Sequence, residues 1–457
     1  MVTVTASYTV APQEPTPNGH LTLSQIDQIQ PNHITAIFVY KSNPKSRTNA
    51  IKALRDSLSK ILVYYYPLAG RLRRITQGGL LELQCNAKGV HLFEAEDEKL
   101  MVDYGDFAPT DAIKDLIPRV DYGTTPLEEW PLLLVQLTRF SCGGLCVGIA
   151  ICHVVVDGWA SFQFVKLWAK LALGAENLDK HEIPIHERTL LLSPKTNPLM
   201  AHKKFQKPCF PFVLGCSDNK EEQKKETSVA LLELSKDQVE KLKKKANNDK
   251  MLVDRAYSRY EAIAAHIWKC ICKARQDDYN AFQPTVVRIM TDIRNRLKPS
   301  VPLNYAGNAI HAILTPVSHY NDIISNPLSF AAQKIREGTE RLTDEYIRSA
   351  LDYSARQQKE NGLRSESVVD FYGNPNINIG SWMSLPGYEA NFGWGKPVYV
   401  GVGALFGDGW SIIMAGPKGD GSVIMAFCLQ TPHLEAFRKI FYEEINAQNP
   451  NIIISSL

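Results

Sequence analysis

One histidine of the chain, His153, lies at the end of a predicted strand, a position in which the fold could fix a general base. His153 follows the almost wholly apolar run 145–152 and precedes Val154-Val155-Val156-Asp157-Gly158. The run predicts a central strand buried on both faces, and Gly158 permits a sharp turn before a helix. An imidazole at the end of a rigid strand can accept a proton near neutral pH, because its unperturbed pKa is about 6.5.

The neighbours of His153 admit different interpretations. Asp157 could contact the imidazole, or it could turn away and anchor the loop by pairing with an arginine. Cys152 is predicted to be buried and inert, because adjacent strand residues point to opposite faces and cannot form a dyad. The chain has no nucleophile elbow, phosphate loop or dinucleotide fingerprint. Direct attack of an acceptor on a bound ester or thioester is therefore favoured over a covalent enzyme intermediate.

A second segment, Asn391-Phe392-Gly393-Trp394-Gly395, places two glycines around aromatic residues. This composition predicts a tight loop whose rings pack beneath a domain junction.

The elements that must position these residues are strands and helices without a regular alternation. The first half predicts strands over 34–40, 80–85 and 90–95 (the last two as a hairpin), helices over 49–62 and 161–173, and a strand pair over 132–140 and 145–152. The second half predicts strands over 229–234 and 285–291 and helices over 236–246 and 259–275. Residues 183–226 are rich in proline and charge and predict a linker. The pattern indicates an α/β or α+β protein with two sheet-centred domains.

The composition and charge indicate which partners and which cellular compartment the protein is expected to have. The chain has 457 residues and a net charge of +3, which favours neither a nucleic-acid nor a membrane partner. None of its nine cysteines has the two-residue spacing of a zinc or redox motif. An unpaired cysteine set indicates a reducing compartment. No secretory signal or membrane-spanning run is visible, so we expect a cytoplasmic protein, and we expect it to be a monomer. The histidines lack metal-ligand spacing, so no metal is expected.

Taken together, these motifs resemble those of the plant BAHD acyltransferase family, whose hallmarks are His-x-x-x-Asp-Gly and a distant Asp-Phe-Gly-Trp-Gly. The resemblance covers nearly the whole chain. It continues through residues 64–72 (YYYPLAGRL), 260–261, 265–269 (AHIWK), 292–296 (DIRNR) and 305–308 (YAGN). The opening, at residues 6–10 and 14–17, looks most like the spermidine hydroxycinnamoyl transferase branch.

The resemblance implies two chloramphenicol-acetyltransferase-like domains with a channel between them. We expect an N-terminal domain over 1–185, completed by residues near 364–386, a linker over 186–226, and a C-terminal domain over 227–457 that carries the Asn391 motif. Acyl-CoA would be a co-substrate, with no permanently bound cofactor. It would meet the acceptor at His153.

The resemblance also assigns roles to single residues. Asp157 would be structural and paired with Arg294 or Arg296, while Ser381 and Trp382 would direct hydrogen-bond donors at the thioester oxygen. Ser258 and Arg259 are predicted to contact CoA from their position alone.

One departure from the family pattern concerns Asn391, which replaces the motif aspartate. Asparagine keeps the size and some hydrogen bonds but loses the charge, so we expect reduced rigidity of the loop, with the arginine partner under-compensated. The departure also admits a non-catalytic acyl-CoA-binding homologue.

The acceptor is predicted from a short acidic stretch. Glu366 and Asp370 occupy the region where shikimate- and quinate-using relatives carry an arginine, and Arg364 lies just outside it. Acidic groups suit an ammonium, so the sequence favours transfer of a hydroxycinnamoyl group to a polyamine such as spermidine. An O-acyltransferase that uses shikimate, quinate or another alcohol is the alternative.

Overall fold

The computed structural model describes residues 1–29, 31–43, 50–75, 79–192, 222, 224–248, 255–278, 281–361, 373–405 and 407–446. The strands are β1 (Thr3–Val10), β2 (Gly19–Thr22), β3 (His33–Tyr40), β4 (Arg71–Arg74), β5 (Leu81–Cys85), β6 (Val90–Asp97), β7 (Leu133–Phe140), β8 (Leu145–Cys152), β9 (Thr227–Leu234), β10 (Pro284–Thr285), β11 (Val287–Asp292), β12 (Ile310–Leu314), β13 (Ser318–His319), β14 (Ile377–Trp382), β15 (Tyr399–Val402), β16 (Trp410–Ala415) and β17 (Val423–Gln430). The helices are α1 (Ala50–Tyr64), α2 (Gly158–Ala172), α3 (Lys236–Asn247), α4 (Arg259–Ala274), α5 (Tyr320–Ser325), α6 (Leu328–Glu340), α7 (Asp344–Asn361) and α8 (Thr431–Asn446).

The first sheet has the strand order β1-β6-β7-β8-β3-β15. Its strand β8 is buried at every residue, as its apolar sequence predicts for a central strand. Helices α1 and α2 lie together on one face, where Trp168 donates its indole N–H to the Ser57 hydroxyl at 2.9 Å. The predicted pair β7 and β8 and the helix that follows them are confirmed.

The second sheet has the order β12-β11-β14-β16-β17-β9, with β11, β14 and β16 parallel. Helix α4 packs at the centre of its helical layer against α6 and α8. The predicted strands and helices at 229–234, 236–246, 259–275 and 285–291 are confirmed within a few residues.

A third apolar cluster joins the two sheets face to face. It brings Ile37 and Val39 of β3 together with Ile412 and Met414 of β16. Trp382 of β14 packs against both this cluster and the core of the first domain. The inner face of the second sheet therefore looks toward the first sheet, and Trp382 lies at their junction.

The first sheet includes one strand from the second half of the chain, which the predicted domain boundaries do not include. β15 pairs antiparallel with β3, so it belongs to the first sheet although it follows residue 227. Conversely β14, which lies within the range 364–386 predicted to complete the first domain, belongs to the second sheet. The reason is that β14 pairs in parallel with β11 and β16. Such pairing between distant segments cannot be predicted from the local sequence pattern.

The predicted hairpin over 80–85 and 90–95 is wrong. Both strands exist, but β5 pairs with β2 and β4 in a separate small sheet, while β6 pairs with β1 and β7. Gly89 has a φ of +88° and sits where a Cβ would lie 2.8 Å from the Val10 carbonyl oxygen. The loop therefore changes sheets instead of reversing the chain within one.

Within the described part of the chain, no helix combines the length and the apolar character that crossing a lipid bilayer requires.

Candidate active site

His153 lies in the turn directly after β8. Its backbone N–H donates to the Asn32 carbonyl at 2.9 Å, so the turn is tied to the residue that precedes β3. The side chain is half-buried, which leaves part of the imidazole accessible. The structure thus places His153 at the end of a rigid central strand.

The imidazole of His153 has a defined partner in Asn308. Its Nδ1 lies 3.1 Å from Asn308 Oδ1, although the two residues are 155 positions apart. An amide oxygen can only accept, so Nδ1 carries the proton of this bond, and in the neutral imidazole Nε2 keeps its lone pair. This tautomer leaves Nε2 able to accept a proton from another group. The sequence motif at 305–308 does not indicate this role for Asn308, because its contact with His153 depends on tertiary structure.

Asp157 is fully buried and does not contact the imidazole. Its carboxylate accepts from Arg294 Nη1 at 2.8 Å and from Nη2 at 3.1 Å. It also accepts the backbone N–H of Ala160, which caps α2, and that of Ala309. The second interpretation of the sequence is the one that the structure supports: Asp157 anchors the loop. Burial opposes the charge of Arg294, but Asp157 and Asp292 together outweigh it and raise the pKa of the guanidinium.

Arg296, the other predicted partner of Asp157, lies elsewhere. It donates to the carbonyls of Thr339 and Leu342, at the end of α6. Arg294 is therefore the arginine of this pair.

Trp382 and Ser381 end strand β14 close to the start of α2. A Cβ built on Gly158 would lie 3.9 Å from Trp382 Nε1, and the Phe162 and Trp382 rings pack edge to face at 5.1 Å. Ser381 Oγ accepts a long bond from the Met383 N–H at 3.5 Å. Among the described residues, the Trp382 N–H has no acceptor. Gly158 thus keeps the space beside this indole donor open.

The Asn391 loop is part of the first domain's core. Phe392 packs against Trp168 of α2, and Trp394 packs against Tyr40 of β3, whose hydroxyl donates to the Ala390 carbonyl at 2.8 Å. The aromatic rings are packed as predicted, but in the core of the first domain and not beneath a domain junction. The loop was predicted to lie in the C-terminal domain, and its contacts show otherwise.

Asn391 itself closes the loop through its side-chain oxygen. Oδ1 accepts the N–H groups of Gly393 and Gly395, each at 3.0 Å. Both glycines have a φ of +97°, which residues other than glycine rarely adopt. A neutral amide oxygen therefore suffices for these two contacts, and the hydrogen bonds found for Asn391 do not involve an arginine.

Ser258 and Arg259 both have local structural contacts. Ser258 caps α4 in a reciprocal pair with Glu261, and Arg259 donates to the Gly421 carbonyl at 2.7 Å. Their contact with CoA stays a prediction. The predicted acceptor residues Glu366 and Asp370 lie outside the described residues, as does Arg364.

Cys152 is fully buried, and burial raises the pKa of its thiol to about 12. It is therefore a neutral thiol near pH 7, as the inert interpretation requires.

Comparison with known proteins agrees with the motifs. A profile of the family described as "Transferase family" matches residues 1–444. The chain is 43% identical to hydroxycinnamoyl-CoA:piscidic acid hydroxycinnamoyltransferase of Actaea racemosa, over 97% of this chain and 100% of the relative. It is 36% identical to shikimate O-hydroxycinnamoyltransferase of Nicotiana tabacum (97% and 99%) and 35% identical to anthranilate N-benzoyltransferase protein 1 of Dianthus caryophyllus (97% and 99%).

Solved structures share the fold at lower identity. Vinorine synthase is 20% identical, with a TM-score of 0.69 over 95% of this chain and 96% of that one. TRI101 of F. sporotrichioides, solved with coenzyme A and T-2, is 18% identical, with a TM-score of 0.76 over 92% and 97%. The chain thus shares its fold with these two proteins. By its family match and by its relatives, the chain belongs to the Transferase family of BAHD enzymes and is a CoA-dependent acyltransferase.

Proposed function

We propose that the protein transfers a hydroxycinnamoyl group from CoA to a hydroxyl or amine of a small acceptor that carries a carboxylate. The observation that carries the chemistry is the bond from His153 Nδ1 to Asn308, because it leaves Nε2 as the free base.

The reaction needs one base and one hydrogen-bond donor. His153 Nε2 takes the proton of the acceptor O–H or N–H as that atom attacks the thioester carbonyl. The carbonyl oxygen becomes an oxyanion, which the Trp382 N–H stabilises, with Ser381 beside it. The carbon–sulfur bond then breaks, and the imidazolium returns its proton to the departing CoA thiolate.

A small apolar cleft, with a cavity volume of about 20 Å³, lies beside Trp382. It is lined by Ile34, Ala36, Ile151, Phe162 and Trp382 among others, so strand β3 and helix α2 form its walls. Aromatic rings are stabilised in such surroundings by burial and by edge-to-face contact. The cleft must widen to admit such a ring, so the aromatic donor is proposed from the names of the relatives, which contain hydroxycinnamoyl and benzoyl groups.

The relatives favour an acidic acceptor. The names of the three quoted above contain piscidic acid, shikimate and anthranilate. Each of these names denotes an acid or its anion.

Arg288 of β11 carries a positive charge that could bind the carboxylate of an acidic acceptor. Its neighbours Val287 and Ile289 belong to the second domain's core, so Arg288 projects from the opposite face, toward the first sheet. It is 5% exposed, and burial lowers the pKa of its guanidinium to about 10. An anionic ligand would favour the charged form of such a group.

Asn378 lies beside Arg288 on the neighbouring parallel strand β14. Its side chain is fully buried, and neither amide atom has a partner among the described residues. Such an unpaired buried amide costs about 1–3 kcal/mol. An acceptor carboxylate held by Arg288 could receive a hydrogen bond from the Asn378 amide.

The polyamine prediction is the competitor. It rests on Glu366 and Asp370, whose carboxylates would hold the charged nitrogens of spermidine. The two proposals differ in the sign of the charge that the acceptor site must bind.

The test is release of CoA thiol from coumaroyl-CoA with piscidic acid, shikimate, anthranilate, spermidine or a simple alcohol as acceptor. His153→Ala should abolish turnover with any of them. Arg288→Met should raise the KM for an acidic acceptor, whereas the pair Glu366→Gln and Asp370→Asn should not. Turnover selective for spermidine, with KM raised only by the second pair, would replace the acidic proposal by the polyamine one. Acyl-CoA binding without turnover on any acceptor would favour the non-catalytic alternative.

A further inference from the structure

A second buried carboxylate lies near His153, outside the His-x-x-x-Asp motif. Asp27 follows β2 in a turn and is fully buried. Its Oδ2 accepts from the Ser24 N–H at 2.9 Å and the Ser24 hydroxyl at 2.7 Å. Its Oδ1 accepts from the Asn308 N–H at 3.2 Å and from Asn308 Nδ2 at 2.8 Å. Every one of these partners is a donor, which suits a carboxylate.

Asp27 also faces a buried cation. Arg188 Nη1 lies 3.7 Å from Asp27 Oδ1, and Nη2 of the same guanidinium donates to the Val155 carbonyl at 2.8 Å. Burial opposes the charge of Arg188, but Asp27, Tyr305 and Asp157 together outweigh it and raise the pKa of the guanidinium. The pair therefore connects Asp27 to the same loop that carries His153.

The contacts of Asn308 determine which way its amide points. Nδ2 meets only acceptors: Asp27 Oδ1 at 2.8 Å, the His153 carbonyl at 2.7 Å and the Val154 carbonyl at 3.3 Å. A flipped amide would place its oxygen against these oxygens. Asn308 Oδ1 must therefore face the imidazole.

We infer that Asp27 is a positioning residue for the acyl transfer, and that it acts through Asn308. By holding Asn308 Nδ2, it keeps Oδ1 directed at His153 Nδ1 and so maintains the tautomer whose Nε2 can accept a proton. The inference rests on the proposed role of His153 as the base. It assigns to Asp27 the orienting function that the aspartate of a catalytic triad has, with an asparagine inserted between acid and histidine.

Asp157, the aspartate of the motif, cannot perform this function from its present position. Its two oxygens are engaged by Arg294, Ala160 and Ala309. The two buried aspartates thus have different roles: Asp157 anchors the loop, and Asp27 orients the base.

The tautomer can be measured without any substrate. In protein labelled with 15N-histidine, long-range proton–nitrogen NMR spectra distinguish Nδ1–H from Nε2–H imidazoles, and His153→Ala identifies the signal. We expect His153 of the parent protein to be the Nδ1–H form. Asp27→Asn keeps the size but offers a donor as well as an acceptor, so we expect a mixture of tautomers and a kcat lowered about 10- to 100-fold with little change in KM.

The double variant separates a role through Asn308 from a general structural role. Asn308→Ala should lower kcat at least as much as Asp27→Asn, and combining them should add little, because Asp27 would act only through the missing amide. Asp408→Asn is the matched control: Asp408 is also buried and paired with an arginine, Arg275, at 3.0 Å. It should lower stability without changing the His153 tautomer. If Asp27→Asn does not fold, Ser24→Ala is the milder variant, because it removes one of the hydrogen bonds that hold the Asp27 carboxylate in place.

Three outcomes would overturn the inference. The first is an Nε2–H tautomer in the parent protein, and the second is an unchanged tautomer in Asp27→Asn despite a lowered kcat. The third is a double variant whose loss of kcat equals the product of the losses in the two single variants. Because the tautomer is read without an acceptor, these outcomes are distinct from a failure to find turnover.

Discussion

Asp157 and Arg294 form a two-point ion pair across 137 residues of sequence, with both side chains fully buried. Asp157 follows β8 of the first sheet, and Arg294 follows β11 of the second. The loop that carries His153 is therefore attached to the opposite domain. Its position depends on contacts that neither domain makes alone.

Removing one partner of this pair should be costly. Asp157→Ala leaves the buried Arg294 with the partly exposed Asp292 as its remaining carboxylate partner, so we expect the free energy of unfolding to fall by about 3 kcal/mol. Urea denaturation followed by fluorescence measures the change. The control is Asp115→Ala, which breaks the exposed pair with Arg119 and should cost about 0.5 kcal/mol or less. Equal losses in the two variants would contradict the anchoring role of Asp157.

The indole N–H of Trp382 should matter for the rate more than for binding. Trp382→Phe keeps an aromatic ring against Phe162 but removes the donor, so we expect kcat to fall roughly 100-fold with KM little changed. Steady-state kinetics of thiol release test this. Trp130→Phe is the control, because its N–H donates to the Thr125 carbonyl and should not affect the rate. A Trp382→Phe enzyme with parental kcat would exclude the indole donor from the mechanism.

The loop closed by Asn391 should tolerate the family's aspartate but not the loss of the oxygen. Asn391→Asp retains an acceptor for Gly393 and Gly395, so we expect a change in stability below about 1 kcal/mol. Asn391→Ala leaves both N–H groups without this partner and should cost about 1–3 kcal/mol. Thermal and urea unfolding of both variants give the comparison. A large gain from Asn391→Asp would restore the expectation that the missing charge weakens this loop.

Buried neutral histidines should make the fold sensitive to acid. Burial lowers the pKa values of His33, His186, His266 and His311 to about 4. In the unfolded chain they titrate near 6.5. Below that pH the unfolded state binds protons that the folded state does not. The free energy of unfolding therefore falls as the pH drops from about 6.5 to 4, by up to ~1.4 kcal/mol per pH unit for each residue.

Urea denaturation at several pH values measures this loss. His266→Gln should reduce its slope, whereas His319→Gln, at an exposed site, should leave the slope unchanged. A slope in His266→Gln equal to that of the parent would contradict the contribution of His266.

Local sequence patterns predict the elements of this fold well. The apolar run of β8 predicts a central strand, and the glycines of the turn before it predict its pairing with β7, where Gly143 has a φ of +81°. The resemblance to a family predicts Asp157, its arginine and the position of His153. These features depend on residues close in sequence or on motifs with fixed spacing.

The features that sequence does not predict are contacts between distant segments. Asp27 and Asn308 are 281 residues apart, and only the folded chain places an acceptor beside Asn308 Nδ2. Likewise the strand at 81–85 has the same alternating pattern whether it pairs with β6 or with β2 and β4. Choosing between such partners requires packing information that a local pattern lacks.

The pairing of β3 with β15 has a consequence for synthesis of the protein on the ribosome. β8, the other neighbour of β3, is complete at residue 152, whereas β15 ends at residue 402. At about 5–20 residues per second, roughly 10 to 50 s separate the two events. During this interval one edge of β3, including Ile37 and Val39, has no native partner, and such apolar edges invite pairing with other chains. The nascent chain should therefore be most prone to aggregation, and most dependent on chaperones, until β15 emerges.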